Sequence, residues 1–141
     1  DIEHGVALGW FGRLLTEKEN KDFKGQLNLK HTGTLPLVEA MRLLALRGGI
    51  EKISTLDRMA ALRDAGALSD DEHEYLSNAF VQISGLLLRQ QISDFKGGRR
   101  VSNYVHPKTL SRREHNMLVD SFKVIQALRE KVKSEFTGEV F

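Results

Sequence analysis

Two serines, each followed three residues later by a glutamate and then by a long run of apolar residues at helical spacing, constrain this 141-residue chain more than any other feature. They occur in Ser69-Asp70-Asp71-Glu72 and Ser111-Arg112-Arg113-Glu114. In such a capping box the serine hydroxyl accepts from the glutamate N–H, and the glutamate carboxylate accepts from the serine N–H. The acids of the first box also suit the positive end of a helix dipole. Leu76, Ala79, Phe80, Ile83, Leu87 and Leu88 follow the first box; Leu118, Phe122, Ile125, Leu128, Val132 and Phe136 follow the second. Steps of three and four residues place each set on one helical face. Gly97-Gly98 and Gly138 supply the stops. Each helix is predicted to run about 25 residues, or about 37 Å. The stretch 95–110 between them lets the two fold back as an antiparallel pair. The fold class is therefore mainly α: a helical bundle with two long antiparallel C-terminal helices.

Two shorter helices precede this pair. Leu35-Pro36 starts one, with proline suited to a first turn, and Gly48-Gly49 stops it. Its residues 37, 38, 40, 41 and 43–46 are all apolar, which predicts a central, largely buried helix. Thr55 is placed to cap the next helix, which carries Leu56, Met59, Ala60 and Leu62 and ends at Gly66. The first 34 residues fit two readings. Residues 6–15 suit a helix, although Gly9 and Gly12 weaken it. The preferred alternative is a short N-terminal β-hairpin, with strands at 10–16 and 25–30 and a turn at 19–22. The whole reads as one domain, with residues 1–34 as a hairpin or linker and 35–141 as the bundle. An N-terminus with no initiator Met, Asp1-Ile2-Glu3-His4, reads as the start of a piece of a longer protein.

Composition narrows the function classes. There is no cysteine, so disulfides and thiolate metal sites are excluded. No apolar stretch approaches the length of a membrane span, and the N-terminus lacks the pattern of a signal peptide. A cytoplasmic location is the expectation. The net charge of +2 is too small to imply a polyanion partner. The five histidines, His4, His31, His73, His106 and His115, show no metal-ligand spacing, so no metal site is expected. Asp70-Asp71 at a helix start reads as a cap rather than an acid–base pair. Neither a nucleophile elbow nor a P-loop is present.

Two segments hold more interest. Lys30-His31-Thr32-Gly33-Thr34-Leu35-Pro36 sets a lysine and a small-residue turn before a helix start, where free N–H groups suit a phosphate or carboxylate. An ordinary loop and cap is the plainer reading of the same residues. Between positions 96 and 113 lie Lys96, Arg99, Arg100, Lys108, Arg112 and Arg113, with no acid among them. A nucleic-acid contact would use such a patch. Tyr104 is its one aromatic, so a solvated loop or a contact with an acidic surface fits better.

Leu27-Asn28-Leu29-Lys30, Gly33, Leu35-Pro36-Leu37-Val38, Arg42, Ala45-Leu46, Ser54-Thr55-Leu56 with Arg58, Arg89 with Gln91, Asn103, and the closing helix from Leu110-Ser111 to Phe136 together resemble one family. It is the putative nucleotidyltransferase substrate-binding domain, found in bacterial signalling proteins beside cyclic-nucleotide-binding-like and CBS modules. The resemblance spans nearly the whole chain. Thr32 stands where the first glycine of a Gly-Gly pair is usual, and Gln90 where histidine is common.

The resemblance implies a substrate-side domain that follows a catalytic domain related to the uridylyltransferases and adenylyltransferases of nitrogen regulation. The family's Gly-Ser turn and magnesium-binding aspartates belong to that upstream domain, so this chain alone is expected to be inactive. Magnesium and a nucleoside triphosphate are expected for the full-length protein, and an acceptor protein is a further expected partner. Lys30, with Gly33 and Thr34, becomes the candidate triphosphate contact. Arg42, Thr55, Arg58, Arg89, Gln91 and Asn103 become candidates for lining the cleft. Two other classes stay open: a regulatory protein–protein interaction module, and a nucleic-acid binder acting through residues 96–113.

Overall fold

The computed structural model describes residues 16–140. Among them are four α-helices, α1 (Leu35–Arg47), α2 (Thr55–Asp64), α3 (Asp70–Lys96) and α4 (Arg112–Val140), and one small sheet of two strands, β1 (Leu27–Asn28) and β2 (Tyr104–Val105).

Both capping boxes form. Ser69 Oγ accepts from the Glu72 N–H at 3.0 Å, and Glu72 Oε1 accepts from the Ser69 N–H at 3.0 Å. Ser111 Oγ and the Glu114 carboxylate make the same exchange at 3.1 and 2.9 Å. Between the long helices, Glu72 meets Lys131, Gln82 meets Ser121 and Arg89 meets Glu114. Residue number falls along one helix by the amount it rises along the other, so α3 and α4 are antiparallel and in continuous register. Leu118, Phe122, Ile125, Leu128 and Val132 are buried along α4, as are Leu76, Ala79 and Ile83 along α3. Leu88, expected in the α3 stripe, is instead exposed. Gly97 ends α3, but α4 continues through Gly138 to Val140. A single glycine costs a helix about 1 kcal/mol and does not oblige it to stop.

Helix α1 lies against the pair. Its C-terminal Arg47 bonds Glu135 at 3.0 Å and sits over the Phe136 ring, 5.3 Å from its centroid. Near its other end Gly33 nests between Ile83 and Phe122. The helix therefore runs parallel to α4. Pro36, Leu37, Ala40, Met41, Leu44 and Ala45 face the core, but Arg42 is exposed and Leu46 is 80% exposed. The nearly all-apolar sequence had suggested a central, largely buried helix; the helix is buried on one side and exposes Arg42 and Leu46 on the other. Ser54, not Thr55, caps α2, its hydroxyl accepting from the Asp57 N–H at 3.1 Å.

The largest departure lies at the start of α1. Helical backbone begins at Leu29 (φ −66°, ψ −28°), and the Asn28 side chain caps it by accepting from the His31 N–H at 3.0 Å. A π-helical turn, Lys30–Thr34, then leads directly into α1, with the Leu35 N–H bonded to the Lys30 carbonyl. Pro36 thus sits inside a continuous helical run. A proline there has no N–H and crowds the carbonyl four residues back, and a wide turn just before it relieves that crowding.

The predicted first hairpin strand, 10–16, lies almost wholly outside the described residues. The predicted second strand is reduced to β1, which pairs antiparallel with β2, Leu27 opposite Val105 and Asn28 opposite Tyr104. The turn before β1 is closed by Glu17 N–H to the Gln26 carbonyl at 2.8 Å and Gly25 N–H to the Glu17 carbonyl at 2.9 Å. It is clamped onto the α3–α4 connection by Phe23, stacked on Tyr104 with centroids 4.1 Å apart, and by the Tyr104 hydroxyl, which donates to Glu17 at 2.6 Å. The connection expected to be a plain linker is therefore a structural partner of the N-terminal segment.

Candidate functional site

Among the described residues a cleft of about 470 Å³ is lined by Glu39, Arg42, Leu43, Ala45, Leu46 and Ile50 from α1 and the turn after it, and by Arg58 from α2. The α1 residues reach it because 39, 42, 43 and 46 recur every three or four positions, so they share a face. Gly48 and Gly49, the latter at φ +66°, turn the chain and bring Ile50 back beside that face. Arg58 is oriented by the same turn: its Nε donates to the Lys52 carbonyl at 2.9 Å, which leaves the two terminal nitrogens of the fork available. Among the described residues, no carboxylate is ion-paired with Arg42 or Arg58. Two guanidinium groups thus meet an apolar wall of Leu43, Leu46 and Ile50. Thr55 is half-buried at the first turn of α2, one helical turn before Arg58.

The other candidates stand elsewhere. Lys30 is exposed in the π-helical turn, 12 residues before Arg42 along the same helical run, or roughly 18 Å at 1.5 Å per residue. Gly33 is buried, and a Cβ on it would come within 3.1 Å of Ile83 and 3.2 Å of Phe122. The open turn before a helix start at Pro36, on which the anion-binding expectation rested, is not the geometry observed. Thr34 is inside the helix, its hydroxyl 3.4 Å from the Lys30 carbonyl. Gln91 donates to the Ser102 carbonyl and to the Asn103 side chain, both at 3.3 Å, while the Asn103 carbonyl accepts from the Leu29 N–H at 3.0 Å. These two residues tie α3, the β2 connection and the start of the α1 run together.

Arg89 makes a two-pronged contact with Glu114, its second bond at 3.2 Å. The guanidinium, helped by the Ser111 N–H, holds the Glu114 carboxyl down at a pKa of about 2; the same pairing raises that of Arg89. The pair borders a smaller groove of about 260 Å³ between α3 and α4, whose other walls include Val81, Gly85, Met117 and Leu118. Of the basic connection, Arg99 folds back onto Asp94 at 3.4 Å and the Ser93 carbonyl at 3.0 Å, closing the end of α3; Arg100, Lys108, Arg112 and Arg113 are exposed.

The structure therefore joins Arg42 and Arg58, with Thr55 nearby, and separates them from Lys30 and from Arg89. Glu39, Leu43, Ala45, Leu46 and Ile50 complete the cleft and were not among the site candidates read from sequence. The spacing of 39, 43, 46 and 50 around Arg42 was the signal that could have found them. Among the described residues no three His, Cys, Asp or Glu side chains could hold a metal ion, and no helix is long and apolar enough to cross a membrane.

In comparisons with known proteins, the family model described as "Putative nucleotidyltransferase substrate binding domain" matches residues 1–136. No curated protein and no solved structure matches the chain.

Proposed function

The chain belongs to the putative nucleotidyltransferase substrate-binding domain family, and from that premise we propose that its α1–α2 cleft receives a nucleoside triphosphate, which it presents to a catalytic domain upstream in the same protein. The observation that carries this reading is the convergence of Arg42 and Arg58, from two helices, on one cleft with an apolar wall. A guanidinium fork matches phosphate oxygens, and Leu43, Leu46 and Ile50 offer a surface for the flat face of a base. A nucleoside triphosphate carries both features, and the cleft volume lies within the usual range for small-molecule sites. On this reading the protein is a bacterial, cytoplasmic signalling protein with associated CBS modules, and an acceptor protein receives the nucleotidyl group. Magnesium chemistry is assigned to the catalytic domain; among the described residues no carboxylate cluster could hold the ion. Lys30, exposed at the other end of the α1 run, is proposed to touch the triphosphate only when the catalytic domain is present.

Calorimetric titration of the chain with each common nucleoside triphosphate tests this. Arg42→Ala and Arg58→Ala should each weaken binding ten- to hundred-fold, the loss of a charge-assisted hydrogen bond of about 1.5–3 kcal/mol. Lys30→Ala should leave affinity unchanged in the chain alone and reduce transfer in the full-length protein. Absence of saturable binding, or equal binding by the arginine variants, would remove the cleft from the reading. An oligonucleotide titrated in parallel examines the basic connection; binding lost on Arg112→Ala and Arg113→Ala would favour the nucleic-acid alternative.

A further inference from the structure

On the outward face of α3, Val81, Leu88, Ile92 and Phe95 are between 46% and 78% exposed, and none of them belongs to the core. With Gly85 they follow one another at intervals of four, three, four and three residues. That average period of 3.5 is the spacing of a helix seam that packs against another helix, where each apolar side chain enters a hole on the facing surface. A hole is present. Gly85 has nothing within 4 Å of where a Cβ would stand, and with Val81, Met117 and Leu118 it opens onto the groove of about 260 Å³ between α3 and α4.

The charges along this face indicate what covers it. At the N-terminal end of α3, Asp70, Asp71 and Glu74 are exposed; at the C-terminal end and just beyond, Lys96 and Arg100 are exposed. Among the described residues none of these five is in an ion pair. The face thus runs from acidic through apolar to basic. A surface with that polarity is complementary to itself when two copies meet antiparallel. We infer that this face of α3 is the interface of a homodimer, in which two α3 helices cross antiparallel about a two-fold axis near Leu88. Val81 of each protomer then lies beside Phe95 of the other, Ile92 enters the hole at Gly85, and the Glu74 turn of each approaches Arg100 of its partner. A two-fold interface of this kind is closed and uses one patch twice.

Sedimentation equilibrium on the chain across a concentration series is the first test, with a dimer at twice the 15.9 kDa chain mass expected. Leu88→Lys and Gly85→Glu lie on an exposed surface and should leave the helical circular dichroism unchanged while weakening the dimer by roughly a hundredfold or more, since the first sets like charges together at the axis and the second fills the hole that receives Ile92 with a buried charge. Glu74→Arg should weaken it too, and adding Arg100→Glu should restore it. Because the chain has no cysteine, cross-linking reports orientation directly. A mixture of Val81→Cys and Phe95→Cys chains should form the mixed disulfide faster than either variant alone. A monomer at every concentration, a dimer indifferent to Leu88→Lys, or like-with-like cross-linking would each overturn the inference.

Discussion

Gly33 shows how one missing side chain sets the distance between elements. The Ile83 and Phe122 atoms that a Cβ would meet belong to fully buried side chains, which have little freedom to withdraw. Gly33→Ala should therefore cost about 1–3 kcal/mol as overpacking, reduced by the helix propensity gained, about 0.5–1 kcal/mol. A denaturant midpoint equal to or above that of the parent would show that Ile83 and Phe122 can shift. A second single-residue effect is electrostatic. Arg89 holds Glu114 at about 2, below its ordinary value of 4.5. A depressed carboxyl contributes stability that is fully present above its unfolded pKa and is lost as pH falls through the folded one. The Glu114 contribution should accordingly disappear between about pH 4.5 and pH 2. Arg89→Gln should move the Glu114 titration, followed by carboxyl NMR shifts, upward toward the ordinary value. It should stop short of it, because the Ser111 N–H still bonds the carboxylate.

At the scale of elements, α4 carries the most direct test of the packing. Phe122 is fully buried, whereas Glu130, on the opposite face, is exposed. Phe122→Ala should cost about 3–5 kcal/mol by transfer and cavity terms together. Glu130→Ala should fall within about 0.5 kcal/mol of the parent. Similar melting shifts for the two would mean that the helix presents a different face to the core. The capping boxes have their own scale. Ser69→Ala should cost about 0.5–2 kcal/mol. The Glu72 carboxylate it leaves behind still holds Lys131 at 3.1 Å, so the α3–α4 contact should survive and helix content should change little.

For the molecule as a whole, the proposal that this chain is the substrate side of a two-domain nucleotidyltransferase predicts no nucleotide transfer by the chain alone, because such transfer depends on metal and positioning, which the proposal assigns to the catalytic domain. Incubation of the purified chain with magnesium, a labelled nucleoside triphosphate and candidate acceptors should leave no labelled product. Turnover abolished by a substitution within this chain would contradict that. Much of the architecture was legible in advance: four helices in their places, both long ones antiparallel, and the α4 stripe residue for residue. Those features arise from capping exchanges across one turn and from a 3.6-residue period, which any stretch of chain carries within itself. The cleft was half legible. Arg42 and Arg58 were picked out, but nothing local said that they converge while Arg89 turns away to Glu114, 25 residues further on. The partner of β1 was equally hidden, because Leu27 pairs with Val105 across most of the chain. The position of Pro36 suggested a helix start, yet Asn28 supplies the cap eight residues earlier and a π-helical turn absorbs the proline. Leu88 fitted the inward stripe by spacing and points outward instead. By itself the sequence determined which segments are helical and which edge of each is apolar, since backbone capping and periodicity act over one or two turns. The tertiary structure alone decided which apolar edge of α3 is exposed and which arginines converge on one cleft, because both depend on what distant segments bring to the same place.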